Sequence, residues 1–576
     1  MKARRTRKSL RPAVKPFTPW KDDAMKKMVM IVVGLGLLTA HVALAAKTVE
    51  EKLKELEKRV QKVEVKAGTD RLKLTGDFRF EAHSISSSIP DHVDGMMFQS
   101  QFVDALAYLT AGGMPPMTLE DIPAFMQGVG DYIGNNFGDY YAFTQTVTFA
   151  DVQNGMQMLG QLPPEVQQAI MQGMAQAAFV EGYDWDNDIF YTNRLRLDMQ
   201  ADVADNVNFA GRLAMYKPWG ESTGVQVFNG QPNSINIDGT TASVPNSDIV
   251  RVERAYFNWM NIGGSDIYLS IGRRPSTGGP PLHLRQDEPR GGTPLGLVVD
   301  YQFDGITAGW HLGDKSTFRL CYGLGYESGF GSAEQLRQPA DRMKDTHFFG
   351  LNWDVLNTEK TYVQATALRA FDVTDGFNGL VVLPTNPVTG KPVGAPVVMR
   401  FTPSSNLGDL DLASLVLLRE EGAFDLFASY SVIQSHPEDV TTPFGGMFAD
   451  PFETPAEQDG SMVYLGARYS LPNDKTRIGL EFNHGSKYWF NFAIAADDII
   501  APKTNTRGNV WEAYVTHRIN KKLIVKLDYI HYDYEYSGSG WHLGAPKKLD
   551  DKSPPVLGFP TYDSADKVAL SFMARF

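Results

Sequence analysis

Between Ile271 and Leu295 the chain sets Arg273, Arg274, Arg285 and Arg290 around Asp287 and Glu288, in a stretch broken repeatedly by Pro and Gly. At this density their chemistry is electrostatic: facing each other across a narrow opening with low-dielectric walls, they focus a field that sorts ions and orients dipolar solutes. A second set, Arg79, Arg194, Arg196, Arg212 and Arg254, lies in segments where polar and apolar residues alternate, so these five belong to the polar, inward face. Three uses of the two sets stay open. They could constrict a pore, pair only to anchor the loop, or form a specific anion site.

Residues for bond-making chemistry are absent or scattered. No GxSxG motif is present, and the histidines His83, His283, His311, His347, His484, His517, His531 and His542 are spread over many segments. A nucleophile and its base must stand within fixed reach, so an enzyme is not expected. Cys321 is the one cysteine, which excludes a disulfide framework, a CxxCH haem attachment and a Cys-based zinc site. Asp184-Trp185-Asp186-Asn187-Asp188 begins like a calcium loop, but Ile189 stands where the turn glycine belongs and Leu195 where the bidentate Glu belongs. The expectation is therefore no cofactor, no metal and no nucleic-acid partner.

The elements that must carry these arginines read as strands. In 70–83, Leu72, Leu74, Phe78 and Phe80 alternate with Lys73, Thr75, Asp77 and Arg79, and in 191–203 Leu195, Leu197, Met199 and Val203 alternate with Arg194, Arg196, Asp198, Gln200 and Asp202. One face suits lipid and the other water. Further strands are predicted near 207–217, 248–260, 266–273, 296–312, 317–327, 345–356, 361–373, 407–419, 424–435, 461–471, 476–486, 508–519, 523–536 and 564–576, about sixteen in all. Their links alternate between short polar turns, such as Ala204-Asp205-Asn206 and Asn520-Lys521-Lys522, and long loops rich in Pro, Gly and Asp. That asymmetry is what bacterial outer-membrane barrels use. Backbone groups in lipid must all be paired, so the sheet has to close. The expected fold class is all-β: a closed antiparallel transmembrane β-barrel over 69–576.

Both ends carry further signals. Met25, Lys26 and Lys27 precede an apolar run from Met28 to Leu38, and Ala43-Leu44-Ala45 offers small residues for cleavage after Ala45, so 1–45 reads as a signal peptide with an extended basic n-region. Residues 46–68 follow as a short charged helix with Val49, Leu53, Leu56, Val60 and Val63 at coiled-coil spacing. A solvated linker is one reading, and a periplasmic trimerisation stalk or cell-wall contact the other. At the far end, Val568, Leu570, Phe572, Ala574 and Phe576 form one apolar face. This resembles the terminal strand of Gram-negative outer-membrane proteins, and the resemblance implies that Phe572 and Phe576 serve as an assembly signal for the barrel-assembly machinery.

Between the first two strands lies an insertion (85–187) of unusual charge. From Phe80 to Asn193 there are fourteen Asp and Glu and no Lys or Arg, which accounts for all of the net charge of −12. Apolar residues recur helically at Phe102, Leu106 and Leu109, at Ile122, Phe125, Met126, Val129 and Ile133, and at Val166, Ile170 and Met174. Thr118 with Asp121, and Pro163-Pro164-Glu165, are helix starts. The expectation is a small helical subdomain at the barrel mouth: a structural cap, a cation-attracting vestibule or plug, or a docking surface. Its many methionines read as core filler rather than copper ligands.

The block Ile271-Gly272-Arg273-Arg274-Pro275-Ser276-Thr277-Gly278-Gly279-Pro280-Pro281, with His283-Leu284-Arg285 after it, resembles a domain-of-unknown-function family of porin-like outer-membrane proteins common in metal-reducing deltaproteobacteria. The layout is also similar to general porins, in which a loop folds inward to narrow the pore. These resemblances imply residence in outer-membrane lipid, a homotrimer, and passive diffusion of small hydrophilic solutes or ions through a water-filled channel. The alternative is a barrel that sheathes a multihaem cytochrome in an extracellular electron conduit.

Overall fold

The computed structural model describes residues 53–61 and 72–576, apart from 148, 221–246, 293–294, 329–337, 339–341, 376–404, 443–444, 451–452, 494–497, 541, 551–553 and 559–560. The expected signal peptide and the ends of the expected coiled coil lie outside the described residues. Residues 53–61 are helical, with Leu53, Leu56 and Val60 exposed along one stripe.

Alternation decides the wall. In β1 (Leu72–Ile89) Leu74 and Phe78 are exposed on the outside while Arg79 and His83 are buried within, because successive side chains of a strand point to opposite faces. The wall continues through β2 (Phe190–Ala204), β3 (Val207–Pro218), β4 (Ser247–Trp259), β5 (Ile267–Arg274) and β6 (Phe303–His311). Next come β7 (Thr317–Tyr326), β8 (Thr346–Asn357), β9 (Thr361–Thr374), β10 (Asn406–Glu421) and β11 (Phe424–Pro437). It ends with β12 (Asp459–Ser470), β13 (Thr476–Gly485), β14 (Gly508–Arg518), β15 (Leu523–Tyr534) and β16 (Ser564–Arg575). Each strand pairs antiparallel with the next, and β16 pairs back onto β1 from Asp77↔Arg575 to Ser88↔Ser564. Sixteen strands thus close the sheet and leave no edge. Connections at one end are two to seven residues long, and the long loops all leave from the other.

The inside departs from a uniformly polar lumen. On the β8–β12 side, Phe348, Ala370, Leu410, Leu412, Phe427, Ile433 and Met462 face inward and form one core with loop residues Leu297, Val298, Val299, Tyr301, Trp489, Phe490 and Phe492. The loop after β5 and the loop after β13 therefore fold into the barrel, joined by a parallel bridge between Val299 and Phe492. This corrects the expected strand over 296–312, since β6 begins only at Phe303. The apolar run Leu295-Gly296-Leu297-Val298-Val299 has strand-like composition, yet it is buried against lumenal side chains rather than in the wall.

The insertion is helical: α1 (Gly95–Thr110), α2 (Ile122–Asn135), α3 (Phe137–Thr146), α4 (Phe149–Leu159) and α5 (Pro164–Ala177). Pro164 opens α5, where its missing N–H costs nothing. Phe102, Val103, Phe125, Val129, Tyr140, Val166 and Ile170 bury a core separate from the lumenal one. A small three-stranded sheet ties it down, with His92–Asp94 parallel to Val556–Gly558 and antiparallel to Phe179–Val180.

Candidate functional site

The loop after β5, residues 275–302, crosses the lumen as a strut whose tip is clamped by charge. Asp287 is buried and receives Arg518 Nε at 2.7 Å, Arg468 Nη1 at 3.3 Å and the Arg477 guanidinium, which reach it from β14, β12 and β13. Its backbone is left-handed, with φ 51°, a conformation that Asp and Asn tolerate better than most residues. Two residues earlier, Arg285 is buried between Asp498 of the loop after β13 and Glu512 of β14, at 3.0 Å from Asp498 Oδ2 and 3.1 Å from Glu512 Oε1. Burial by itself would lower the Arg285 pKa, but the two carboxylates outweigh it and hold it well above the ordinary value. A neighbouring pair shows why the clamp needs cations: Glu481 of β13 stands directly opposite Glu512 of β14. Lys503 Nζ lies between them, 2.5 Å from Glu481 Oε2 and 2.6 Å from Glu512 Oε2. Opposed carboxylates would otherwise repel.

Against the other wall the same loop leaves space. A cavity of about 520 Å³ lies between the loop and β1–β4, lined by Arg194, Arg196, Arg212 and Arg254 on the wall side and by Arg285, Glu288 and Arg290 on the loop side. The arginines project inward from register-matched positions, with Asp77↔Arg196, Arg79↔Arg194 and Arg212↔Arg254 directly paired across strands. Like charges so placed need counter-ions. Asp77 lies 3.1 Å from Arg194, Asp198 2.7 Å from Arg212, and Glu81 2.9 Å from Arg79. Glu253, fully buried, lies 3.2 Å from Arg212 and 3.6 Å from both Arg196 and Arg254. A β-bulge makes that possible: the register jumps from Arg212↔Arg254 to Leu213↔Val252, so Glu253 is the extra residue and turns inward beside Arg254. Glu288 approaches Arg194 at 3.4 Å and Arg196 at 3.5 Å, one oxygen to each.

Two predicted site residues fall elsewhere. Arg273 shares the outer face of β5 with Ile267, Leu269 and Ile271 and pairs at 3.1 Å with the exposed Asp304, so it does not join the loop acids. Its neighbour Arg274 faces inward but lies over the Tyr256 ring at 6.0 Å, away from Asp287 and Glu288. Arg290 is exposed within the barrel, 3.8 Å above the Tyr362 ring and 3.2 Å from Asn357. Four of the five wall arginines, Arg194, Arg196, Arg212 and Arg254, share the cavity with Glu288 and Arg290, whereas Arg79 sits with Glu81 and the Tyr216 ring, and Arg285 and Asp287 are anchors. Phe572 and Phe576 lie at the β16–β1 seam, where Phe576 exchanges backbone hydrogen bonds with Gly76 at 2.9 and 3.0 Å.

Sequence reasoning missed Glu253, Arg468, Arg477, Glu481 and Glu512. Parity could have found four of them: Arg477 and Glu481 alternate with exposed Ile478 and Leu480, Arg468 is three residues past exposed Leu465, and Glu512 follows exposed Trp511. Nothing in the alternation betrays the bulge at Glu253. Asp498 and Lys503 come from an irregular loop and carry no period.

A family model described as a protein of unknown function, DUF3373, matches residues 184–576, more than half of the chain. The chain belongs to this family. The match begins after α5, so it covers neither the five helices of the insertion nor the N-terminal helix. No curated protein matches the sequence. Among solved structures, in-vitro folded OmpT, an outer-membrane protein of Vibrio cholerae, is 12% identical over 68% of this chain and 92% of its own, with a TM-score of 0.35. A mutant of the Rh. blastica porin is 9% identical over 88% and 100%, with a TM-score of 0.36. Salmonella typhi OmpF in complex with daunomycin is 9% identical over 69% and 93%, also at 0.36. The fold itself rests on the sixteen closed ladders.

Proposed function

We propose that this chain is an outer-membrane porin, exported by a leader cleaved after Ala45, that lets small hydrophilic solutes and ions diffuse through a lumen narrowed by its own loop. The observation that carries this reading is the cavity of about 520 Å³ between the 275–302 loop and the arginine wall of β1–β4, inside a closed sixteen-strand barrel. Barrels of this strand number leave an aqueous interior. The apolar core on the β8–β12 side occupies part of that interior, so the path for solutes runs on the arginine side. Trimeric assembly belongs to the same reading and is supported by the exposed Leu53, Leu56 and Val60 stripe.

The cytochrome-sheath alternative gains no support. Where a sheathed partner would sit, the lumen holds the chain's own Trp489, Phe490 and Phe492 packed against the wall. Liposome swelling tests the porin reading: vesicles with the purified protein should swell in small sugar alcohols and pentoses and progressively less in larger oligosaccharides. Swelling no faster than in protein-free vesicles for every solute would overturn it.

A further inference from the structure

We propose that the lumenal cavity is a binding site for a small oxyanion, a carboxylate or a phosphate, and that the Glu288 side chain occupies it as a tethered stand-in for the solute. The physiological meaning rests on the porin reading, while the geometry does not.

Contacts at the cavity divide into tight and loose. The wall arginines have acidic partners within the wall, with Asp198 2.7 Å from Arg212 and Asp77 3.1 Å from Arg194, and Glu253 lies buried beside Arg196, Arg212 and Arg254. These contacts hold Arg194, Arg196 and Arg212 in place without Glu288, and Arg254 donates to Thr277 of the loop at 2.9 and 3.1 Å. Glu288 adds only the two longer contacts of 3.4 and 3.5 Å, and its side chain keeps about a quarter of its surface, at 24%. One oxygen meets Arg194 and the other Arg196, which is how a free carboxylate or phosphate would bridge two guanidinium groups.

Neighbouring residues set the stand-in rather than let it wander. Asp287, next in the chain, is locked by three arginines, so the Glu288 backbone is fixed while its side chain is not. The cavity also carries cations that the loop does not neutralise. Among the described residues Arg290 and Arg575 have no carboxylate within ion-pair distance; Arg290 is held by Asn357 and the Tyr362 ring, and Arg575 by the Asp287 carbonyl oxygen. An incoming oxyanion can displace Glu288 from Arg194 and Arg196 and meet Arg290 on the far side. A volume of about 520 Å³ suits a small metabolite.

The test uses the purified full chain in detergent, titrated calorimetrically with sodium succinate and with sodium phosphate, each against sodium chloride at equal ionic strength. Glu288→Gln keeps the shape and removes the competing charge, so it should bind succinate, phosphate or both about tenfold more tightly than the unaltered chain. Which of the two responds names the solute class. Arg290→Gln should weaken the same binding several-fold, and it keeps the test decisive if Glu288→Gln fails to fold. Equal or weaker binding in folded Glu288→Gln, no change in Arg290→Gln, or chloride competing as well as either oxyanion would overturn the assignment. Conductance measured on the same preparations separates the two readings. Tightened oxyanion binding without conductance removes the porin and leaves the site, whereas conductance with unaltered binding does the reverse.

Discussion

Replacing Asp287 by Asn tests whether the loop is held in the lumen by charge. The substitution preserves size and the left-handed backbone at φ 51°, so its effect is the loss of the carboxylate that Arg468, Arg477 and Arg518 share. Asp287 is 5% exposed, and removing one partner of a buried ion pair costs about 3 to 5 kcal/mol because the remaining charges are left uncompensated. Arg468 keeps Asp425 at 2.7 Å, while Arg477 and Arg518 lose their shared carboxylate. At about 1.4 kcal/mol per tenfold, local opening of the loop should become a hundredfold or more easier. The wall is not touched, since β12, β13 and β14 keep their own ladders. Hydrogen exchange followed by mass spectrometry should show protection falling by about two orders of magnitude in peptides covering 280–300 and not in those covering the strands. Unchanged exchange over 280–300 would refute the clamp, and a loss spread evenly over the wall would refute its local nature.

Three further outcomes follow from other parts of the molecule. Burial raises the Asp104 carboxyl to about 6 against the hydrogen bond that Tyr140 donates to it, so the folded insertion binds the proton more tightly than the unfolded one. Its stability should be greatest below pH 4 and fall as pH rises through about 6, by up to about 3 kcal/mol, and Asp104→Asn should abolish that dependence in pH-resolved exchange of α1 and α3. At the seam, a Cβ on Gly76 would come within 2.6 Å of the Arg196 carbonyl oxygen and 2.8 Å of the Phe576 ring, so Gly76→Val should sharply reduce the heat-modifiable barrel band on gels, and normal yield would contradict it. Asp94 N donates to Ala178 O at 2.9 Å, so the insertion's ends meet and its core is separate; replacing 95–177 by a short Gly-Ser linker should leave that same band intact.

Strand existence was legible because parity in this barrel wall is strict: outer positions such as Leu415, Leu417 and Trp353 are apolar, and short turns mark every second link. The helical insertion was legible for a similar reason, through apolar spacing at Phe125, Val129 and Ile133. Lumenal loops obey neither rule. Leu297, Val298 and Val299 look like a strand because burial on all sides demands apolar residues wherever it occurs. Arg273 misled for the opposite reason: a charge beside Arg274 and a Gly-Pro stretch suggests a pore, yet strand alternation sends adjacent residues to opposite faces, and only Arg274 turns inward. The cavity was half legible. Its wall arginines follow from alternation, whereas Glu253, which neutralises three of them, depends on a bulge that leaves no mark on the sequence.

Single-channel recording in planar bilayers tests most directly whether an open, water-filled path runs beside the loop. Purified protein should insert in discrete steps of ohmic conductance on the order of a nanosiemens in molar salt, as aqueous barrels of this strand number allow. Stable insertion, verified by protease protection, with no conductance at any voltage would contradict it.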